Sequence, residues 1–353
     1  MKAISTLIVL AALAPGQTTN VVTPPDPAEL NNRGAQAYYQ GRFADAESLY
    51  RDALKSWDQC APGREAERAI TVRNLGAALR VEGRFAEAET LLLEALKKAE
   101  ADQGSESLEA GRTANSLAAL YWEWEQVDKA AALAVRANST FDRTLTGHTP
   151  ERANNWELLG SIYIAQERYA EAEQLLHKVT ENAEGRIVAS AYNELAVAAL
   201  RQDQFAKAES LARKALEIAS QSVPENHRIR AAMLNNLGQI HRFQGRYEEA
   251  ERDYRGALAI WRDSLGAQHP DTGKAYANLA ALYHERGREA GAEELYRRAT
   301  QILESAYGKN SPLVLRLRNQ LAEVLRAEGR PTEAAAVRRK TAGAVSLGFR
   351  NTQ

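Results

Sequence analysis

Apolar residues recur three and four apart along almost the whole chain, as at Trp156, Leu159, Gly160 and Tyr163, or at Ala250, Tyr254, Ala257 and Leu258. That spacing is one face of an α-helix. The pattern is itself periodic. A small residue stands at Gly34, Gly76, Ala118, Gly160, Ala196, Gly238, Ala280 and Ala322, in steps of 42 residues except for one step of 36. Twelve residues after each comes an alanine: Ala46, Ala88, Ala130, Ala172, Ala208, Ala250, Ala292 and Ala334. Seven further on stand Ala53, Ala95, Ala137, Val179, Ala215, Ala257, Ala299 and Thr341. Between the two helical stretches lies a turn, plain in Gly41-Arg42-Phe43, Gly83-Arg84-Phe85 and Gly245-Arg246-Tyr247. The chain is thus predicted to be eight helix–turn–helix units with small residues where the two helices meet. One hairpin cannot bury its apolar face alone, so the copies must stack into an all-α solenoid.

Composition agrees with this reading. Of 353 residues 65 are alanine, against 10 prolines and 22 glycines, which favours helix throughout. Charges nearly cancel, 45 Lys+Arg against 46 Asp+Glu, which argues against general nucleic-acid binding. The single cysteine, Cys60, excludes an intrachain disulfide and a cysteine-cluster zinc site; in an oxidising compartment it could cross-link two chains.

The first residues stand apart. Lys2 precedes the apolar run Ala3–Ala14, which is shorter than the roughly 20 residues of a transmembrane helix and suits a secretory signal cut before Gln17. The expected organisation is a signal peptide over 1–16, a linker over 17–26, the solenoid over 27–345 and a tail over 346–353, with the protein exported to a periplasm or the extracellular space. An uncleaved N-terminus would instead tether it to a membrane as an assembly factor.

Trp156, Leu159, Gly160 and Tyr163, followed by Ala172 and Leu176, resemble the tetratricopeptide repeat. The 42-residue period, longer than the common one of about 34, is similar to the kinesin-light-chain type of this repeat. So is the run from Leu265 to Thr272, with Asn278-Leu279-Ala280 and the stretch Ala292–Ala299 after it. The resemblance implies a right-handed superhelical solenoid over about residues 27–345. It specifies the fold far more than the function.

The punctuation fits. Pro24, Pro150, Pro270 and Pro312 share one register, and Thr23, Thr149 and Ser311 precede three of them as N-caps. Glu151 and Asp271 put negative charge in the first turn. His148, His227 and His269 fall in loops of different repeats, where capping and packing are expected rather than metal binding. The short step requires a tight connection at residues 184–186, and Arg338 and Thr341 make the last repeat a polar cap.

Catalytic signatures are missing. The chain has no Gly-rich phosphate loop, His-Glu-x-x-His or Gly-x-Ser-x-Gly, so no catalytic residue, metal ligand or cofactor is assigned. Glu248-Glu249 and Glu293-Glu294 read as solvated helix faces. Binding is better supported. The first helix of each repeat should line the concave surface, and amides recur on it: Asn31, Asn32, Asn74, Asn115, Asn193, Asn235, Asn236, Asn278 and Asn319. Asparagine is a mediocre helix residue that offers both a donor and an acceptor. These amides either contact an extended peptide or staple adjacent helices. Arg73, Arg80, Arg112, Arg201, Arg242, Lys274, Arg316, Arg326 and His284 add a basic stripe that favours a carboxylate-bearing partner. Glu123, Glu157, Glu194, Glu285 and Glu323 interrupt it. Trp122 and Trp124 form either an aromatic patch for a partner or packing onto the next helix. The function expected is a non-enzymatic scaffold binding a protein or peptide in its groove. The alternative is an envelope enzyme, or a subunit of one, acting on peptides or glycans.

Overall fold

The computed structural model describes residues 26–59 and 63–338. The segments read as signal, most of the linker, Cys60, Thr341 and the tail lie outside those residues. Helices pair in chain order: α1 (Pro27–Tyr39) with α2 (Phe43–Trp57), α3 (Glu65–Val81) with α4 (Phe85–Gln103), and α5 (Leu108–Glu123) with α6 (Val127–Thr144). Then come α7 (Pro150–Ala165) with α8 (Tyr169–Asn182), α9 (Gly185–Arg201) with α10 (Phe205–Ser222), and α11 (Arg228–Phe243) with α12 (Tyr247–Leu265). The last are α13 (Pro270–Glu285) with α14 (Glu289–Tyr307), and α15 (Pro312–Ala327) with helical residues 331–338. No strand occurs among the described residues, as the periodicity required.

Every hairpin turns by the same backbone device. The N–H of Arg42 reaches the carbonyl of Ala37, and Arg84, Gln126, Arg168, Gln204, Arg246, Arg288 and Arg330 repeat that bond to the residue five back. This is the six-to-one bond of a Schellman motif, which needs a left-handed residue just before it. Glycine fills that place at Gly41, Gly83, Gly245, Gly287 and Gly329, but Glu125, Glu167 and Asp203 fill it elsewhere, with φ of 58–61°. The missing turn glycine at Glu125 therefore leaves the hairpin unchanged, at a local strain of about 1 kcal/mol.

The alanines twelve residues past each anchor are all fully buried, from Ala46 to Ala334. Of those seven further on, only Ala95 among the described ones is half-buried, because Leu92 and Leu96 turn inward around it. The anchors show why small residues are needed. A Cβ on Gly34 would lie 2.6 Å from Tyr50, and Gly76, Gly160 and Gly238 are equally covered by Leu92, Leu176 and Tyr254. Where the anchor is Ala118 or Ala196, that second-helix position holds Ala134 or Ala212. Volume is traded across the seam, as close packing demands. Ala280 with Tyr296 and Ala322 with Arg338 are the exceptions.

Helix starts largely follow expectation. Thr149 and Ser311 cap α7 and α15, accepting from the N–H of Arg152 and Val314. His227 and His269 are themselves N-caps, their Nδ1 accepting from Ile229 and Asp271. Two residues, Ala183 and Glu184, join α8 to α9, so the connection is tight as the short step implied but lies just before the expected 184–186, with Gly185 and Arg186 already in α9. The first repeat differs. Asp26 caps α1 with Pro27 behind it, so the helix begins three residues after Pro24. Asp26-Pro27 supplies the same cap-plus-proline signal later in the chain.

The solenoid also touches itself. Pro270 covers Gly83, where a Cβ would sit 3.1 Å from its ring. His269 Nε2 meets the carbonyl of Val81. Phe85 stacks on Tyr307 at 5.5 Å and on Trp124 at 5.9 Å. Arg316 reaches Glu125 at 3.7 Å. The second and third hairpins thus meet the seventh and eighth, and the concave space becomes enclosed.

Candidate functional site

The enclosed space holds two cavities of different chemistry. The first, about 440 Å³, is lined by Tyr38, Trp122, Glu123, Glu157, Glu194 and Arg228, among others. Its charges are only partly paired among the described residues. Arg80 pairs with Glu123. Arg228 is held charged against its burial by Tyr38, Glu123 and Asp271. Burial pushes the Glu157 carboxyl up to about 7, the charge of Glu194 adding to the effect while Arg186 and Ser190 oppose it. Glu194 is raised by burial too, with Ser161 and Asn193 donating to it. The His227 imidazole is pulled down to about 4 by burial and by Arg228 and Arg186. A neutral ring suits its capping bond, since a protonated Nδ1 could not accept.

The second cavity, about 420 Å³, lies among the first helices of repeats five to eight and is lined by Arg201, Gln239, Arg242, Lys274, Asn278 and Arg316 over an apolar floor of leucines. Arg242 donates to Glu285 at 2.9 Å. Lys274 stays charged despite burial, held by Tyr307, Asp271 and Glu125. Its Nζ is 3.9 Å from Asp271 and 5.4 Å from the centre of the Tyr307 ring. Among the described residues Arg316 has only the 3.7 Å pair with Glu125. Arg201 is exposed and has no ion pair among the described residues.

The amides form a ladder. Asn74 donates to Asn31 at 2.9 Å, Asn236 to Asn193 at 3.0 Å and Asn278 to Asn235 at 2.8 Å. In each pair the donor stands two residues before its anchor and the acceptor three before the preceding one. Asn193 also donates to Glu194 at 3.3 Å. Asn115 accepts from Asn155, a buried amide that also reaches the carbonyl of Ala134. Sequence reading missed Asn155 because it stands five residues before Gly160, out of register with the others. Asn319 is exposed.

Most of the basic stripe is likewise engaged. Arg73 pairs with Glu109, Arg112 with Glu151, Arg326 with Glu323 and His284 with Glu289. The two tryptophans face different surroundings: Trp122 lines the first cavity and Trp124 stacks on Phe85. Glu293, expected on a solvated face, is 17% exposed and belongs to a second set of charges. Glu293 pairs with Arg297 and, across the repeat boundary, with Arg330; Glu251 with Arg288, Glu209 with Arg246 and Glu47 with Arg84 repeat that boundary-crossing link. The signal was present as a fixed spacing of 37 residues between acid and base.

The architecture, the amide ladder and the turn motif recur with one period, and a comparison with protein families names it. The tetratricopeptide repeat model matches residues 67–137, 151–221, 187–255, 229–305 and 278–340. The chain belongs to the tetratricopeptide repeat family. Among solved structures, this repeat protein is similar to the APC/C hetero-tetramer Cut9–Hcn1, with a TM-score of 0.61 and 11% identity over 89% of this chain and 52% of that one. It therefore spans about half the length of that relative. It is also similar to a Rap protein complexed with Competence and Sporulation Factor, with a TM-score of 0.60 and 14% identity over 91% of this chain and 98% of that one. A kinesin light chain protein of Podospora anserina with nearly identical repeats gives 24% identity, a TM-score of 0.41, and coverage of 55% and 94%. No curated protein sequence matches. Among the described residues, no group of three or more His, Cys, Asp or Glu could hold a metal ion, and no helix is long and apolar enough to cross a membrane.

Proposed function

We propose that the protein is a non-enzymatic binding scaffold that takes an extended peptide or protein segment into its enclosed concave space. One observation carries the reading: the second cavity gathers Arg201, Arg242, Lys274 and Arg316, and Arg201 has no ion pair among the described residues. A cavity with surplus positive charge suits a carboxylate-bearing segment. The amides of Asn235 and Asn278 lie on the same inner surface, where donor and acceptor capacity not used by the ladder is available to a peptide backbone. The Rap protein, of the same fold and almost the same extent, is described in complex with a factor, which supports a ligand-binding role for an enclosed solenoid of this size. Export, through cleavage before Gln17, completes the proposal; N-terminal sequencing of the mature protein tests it against a retained membrane tether.

Affinity capture followed by mass spectrometry tests the binding surface when wild type is run beside Arg201→Ala and Arg242→Ala. Partners held through the cavity should be depleted from both variants. An unchanged set of captured proteins places the binding surface elsewhere.

A further inference from the structure

Two cations of the second cavity belong also to the contact by which the superhelix touches itself. Arg316 is the eighth hairpin's link to Glu125 in the turn of the third. Lys274 lies beneath the Tyr307 ring, and the other neighbour of that ring is Phe85 of the second hairpin. The same contact includes His269 against the Val81 carbonyl and Pro270 against Gly83. These cross-turn contacts, even with those of Arg228 to Tyr38 and Glu123, are few. Within a hairpin, by contrast, two helices of 13–19 residues pack along their length. Opening at the sparse contact is therefore the least costly large movement available to the molecule.

We infer that ligand and closure compete: a carboxylate entering the second cavity draws Arg316 and Lys274 away from Glu125 and Tyr307, and so releases the clasp between the second and third hairpins and the seventh and eighth. The inference rests on the proposed carboxylate-binding role of this cavity. Its physical basis is that one side chain cannot make its best ion pair in two directions at once. Arg316 and Glu125 are 63% and 31% exposed, so their pair is weak enough for an incoming carboxylate to displace. Arg201 and Arg242 touch the cavity without touching the clasp, so they bind the ligand in both states. Arg316 and Lys274 bind it best in the open one. A ligand shifts an equilibrium only by such a difference in affinity between states. Linkage then requires the reverse effect, that loosening the clasp raises affinity for the ligand.

The probe is a fluorescein-labelled peptide of six glutamates, prepared with a free and with an amidated C-terminus. Spin labels at Ala86→Cys and Ala267→Cys, in a Cys60→Ser background, report the separation across the clasp; both alanines are exposed. Addition of peptide should move a substantial part of the distance distribution to longer values. Phe85→Leu, which changes no cation of the cavity, should bind the peptide about two- to fivefold more tightly, with circular dichroism confirming that it is folded. Glu125→Gln should do the same and should lengthen the distances without peptide. Equal binding of the two peptide forms assigns the carboxylates to side chains, and loss on amidation assigns them to the chain end; either supports the inference if the distances respond. Saturable binding with an unchanged distance distribution, and with Phe85→Leu no tighter than wild type, overturns the coupling but leaves the scaffold reading intact. Wild type that binds neither peptide overturns the carboxylate-binding reading itself.

Discussion

The two cavities are built from the same positions of successive first helices, yet they solve opposite electrostatic problems. In the upper one, toward the N-terminus, Glu123, Glu157 and Glu194 face Arg80, Arg186 and Arg228 in equal number, and burial holds Glu157 and Glu194 toward their neutral forms. In the lower one four cations meet fewer acids, and Arg201 is exposed with no ion pair among the described residues. Repetition sets where a side chain points; it does not set what charge stands there. A repeat fold can therefore hold one region closed upon itself and leave another ready for a partner.

Removing the lower region tests that contrast most severely. A chain ending after Ala219 keeps five repeats, more than the roughly three a stack needs, so it should remain helical. It loses His269, Pro270 and Tyr307, and with them the cover over Val81, Gly83 and Phe85. Its thermal midpoint should fall by on the order of 10 °C. A midpoint equal to that of the full chain would show that the closure contributes nothing.

Charge in the upper cavity comes next. Glu157 holds its proton up to about pH 7 in the folded protein, against 4.5 as its ordinary value. Between those values the native state binds more protons than the unfolded one, so stability falls as pH rises through the window. Glu157→Gln should raise stability by about 2–3 kcal/mol at pH 8 and hardly at all at pH 4.5, as urea unfolding at the two pH values will show. His227 acts in the opposite sense. Its value of about 4, below the ordinary 6.5, means that stability is lost as pH falls from 6.5 toward 4. His227→Asn keeps a capping side chain and should flatten that acid limb.

The amide ladder gives a smaller effect. Asn236→Ala strands the acceptor of Asn193 and should cost about 1 kcal/mol. Asn319→Ala, at an exposed position, should cost less than about 0.5 kcal/mol. Equal costs would mean that the ladder does not staple the repeats. The smallest effect belongs to the lower cavity. Arg201→Ala should leave stability within about 0.5 kcal/mol of wild type, because the residue is exposed and has no ion pair among the described residues. A large loss would make Arg201 a structural residue and erase the difference between the two regions.

Much of the site was visible in the sequence, though not its meaning. The inner asparagines announced themselves by register, and the structure pairs Asn74 with Asn31, Asn236 with Asn193 and Asn278 with Asn235. Whether an amide meets a neighbour or a ligand depends on the distance between stacked helices, which no spacing along the chain contains. Asn155 escaped notice because it reaches its partner from another place in its helix. The basic stripe was legible as a list of cations. Which of them is free was not, because Glu109, Glu151 and Glu285, which engage Arg73, Arg112 and Arg242, come from neighbouring repeats.

Helix, turn and hairpin seam followed from local rules. Apolar spacing defines each face, the left-handed residue closes each turn, and a glycine or alanine is required where a second helix passes within contact distance. These interactions join residues at most a few dozen positions apart, so one period of sequence contains them whole. The closure is of another kind. His269 and Val81 are 188 residues apart, and what brings them together is the accumulated rotation of every repeat between, including the shortened step at Ala183–Glu184. A small change of pitch in each hairpin adds along the stack. The meeting of its turns, and the enclosed space that results, therefore exist only in the assembled structure.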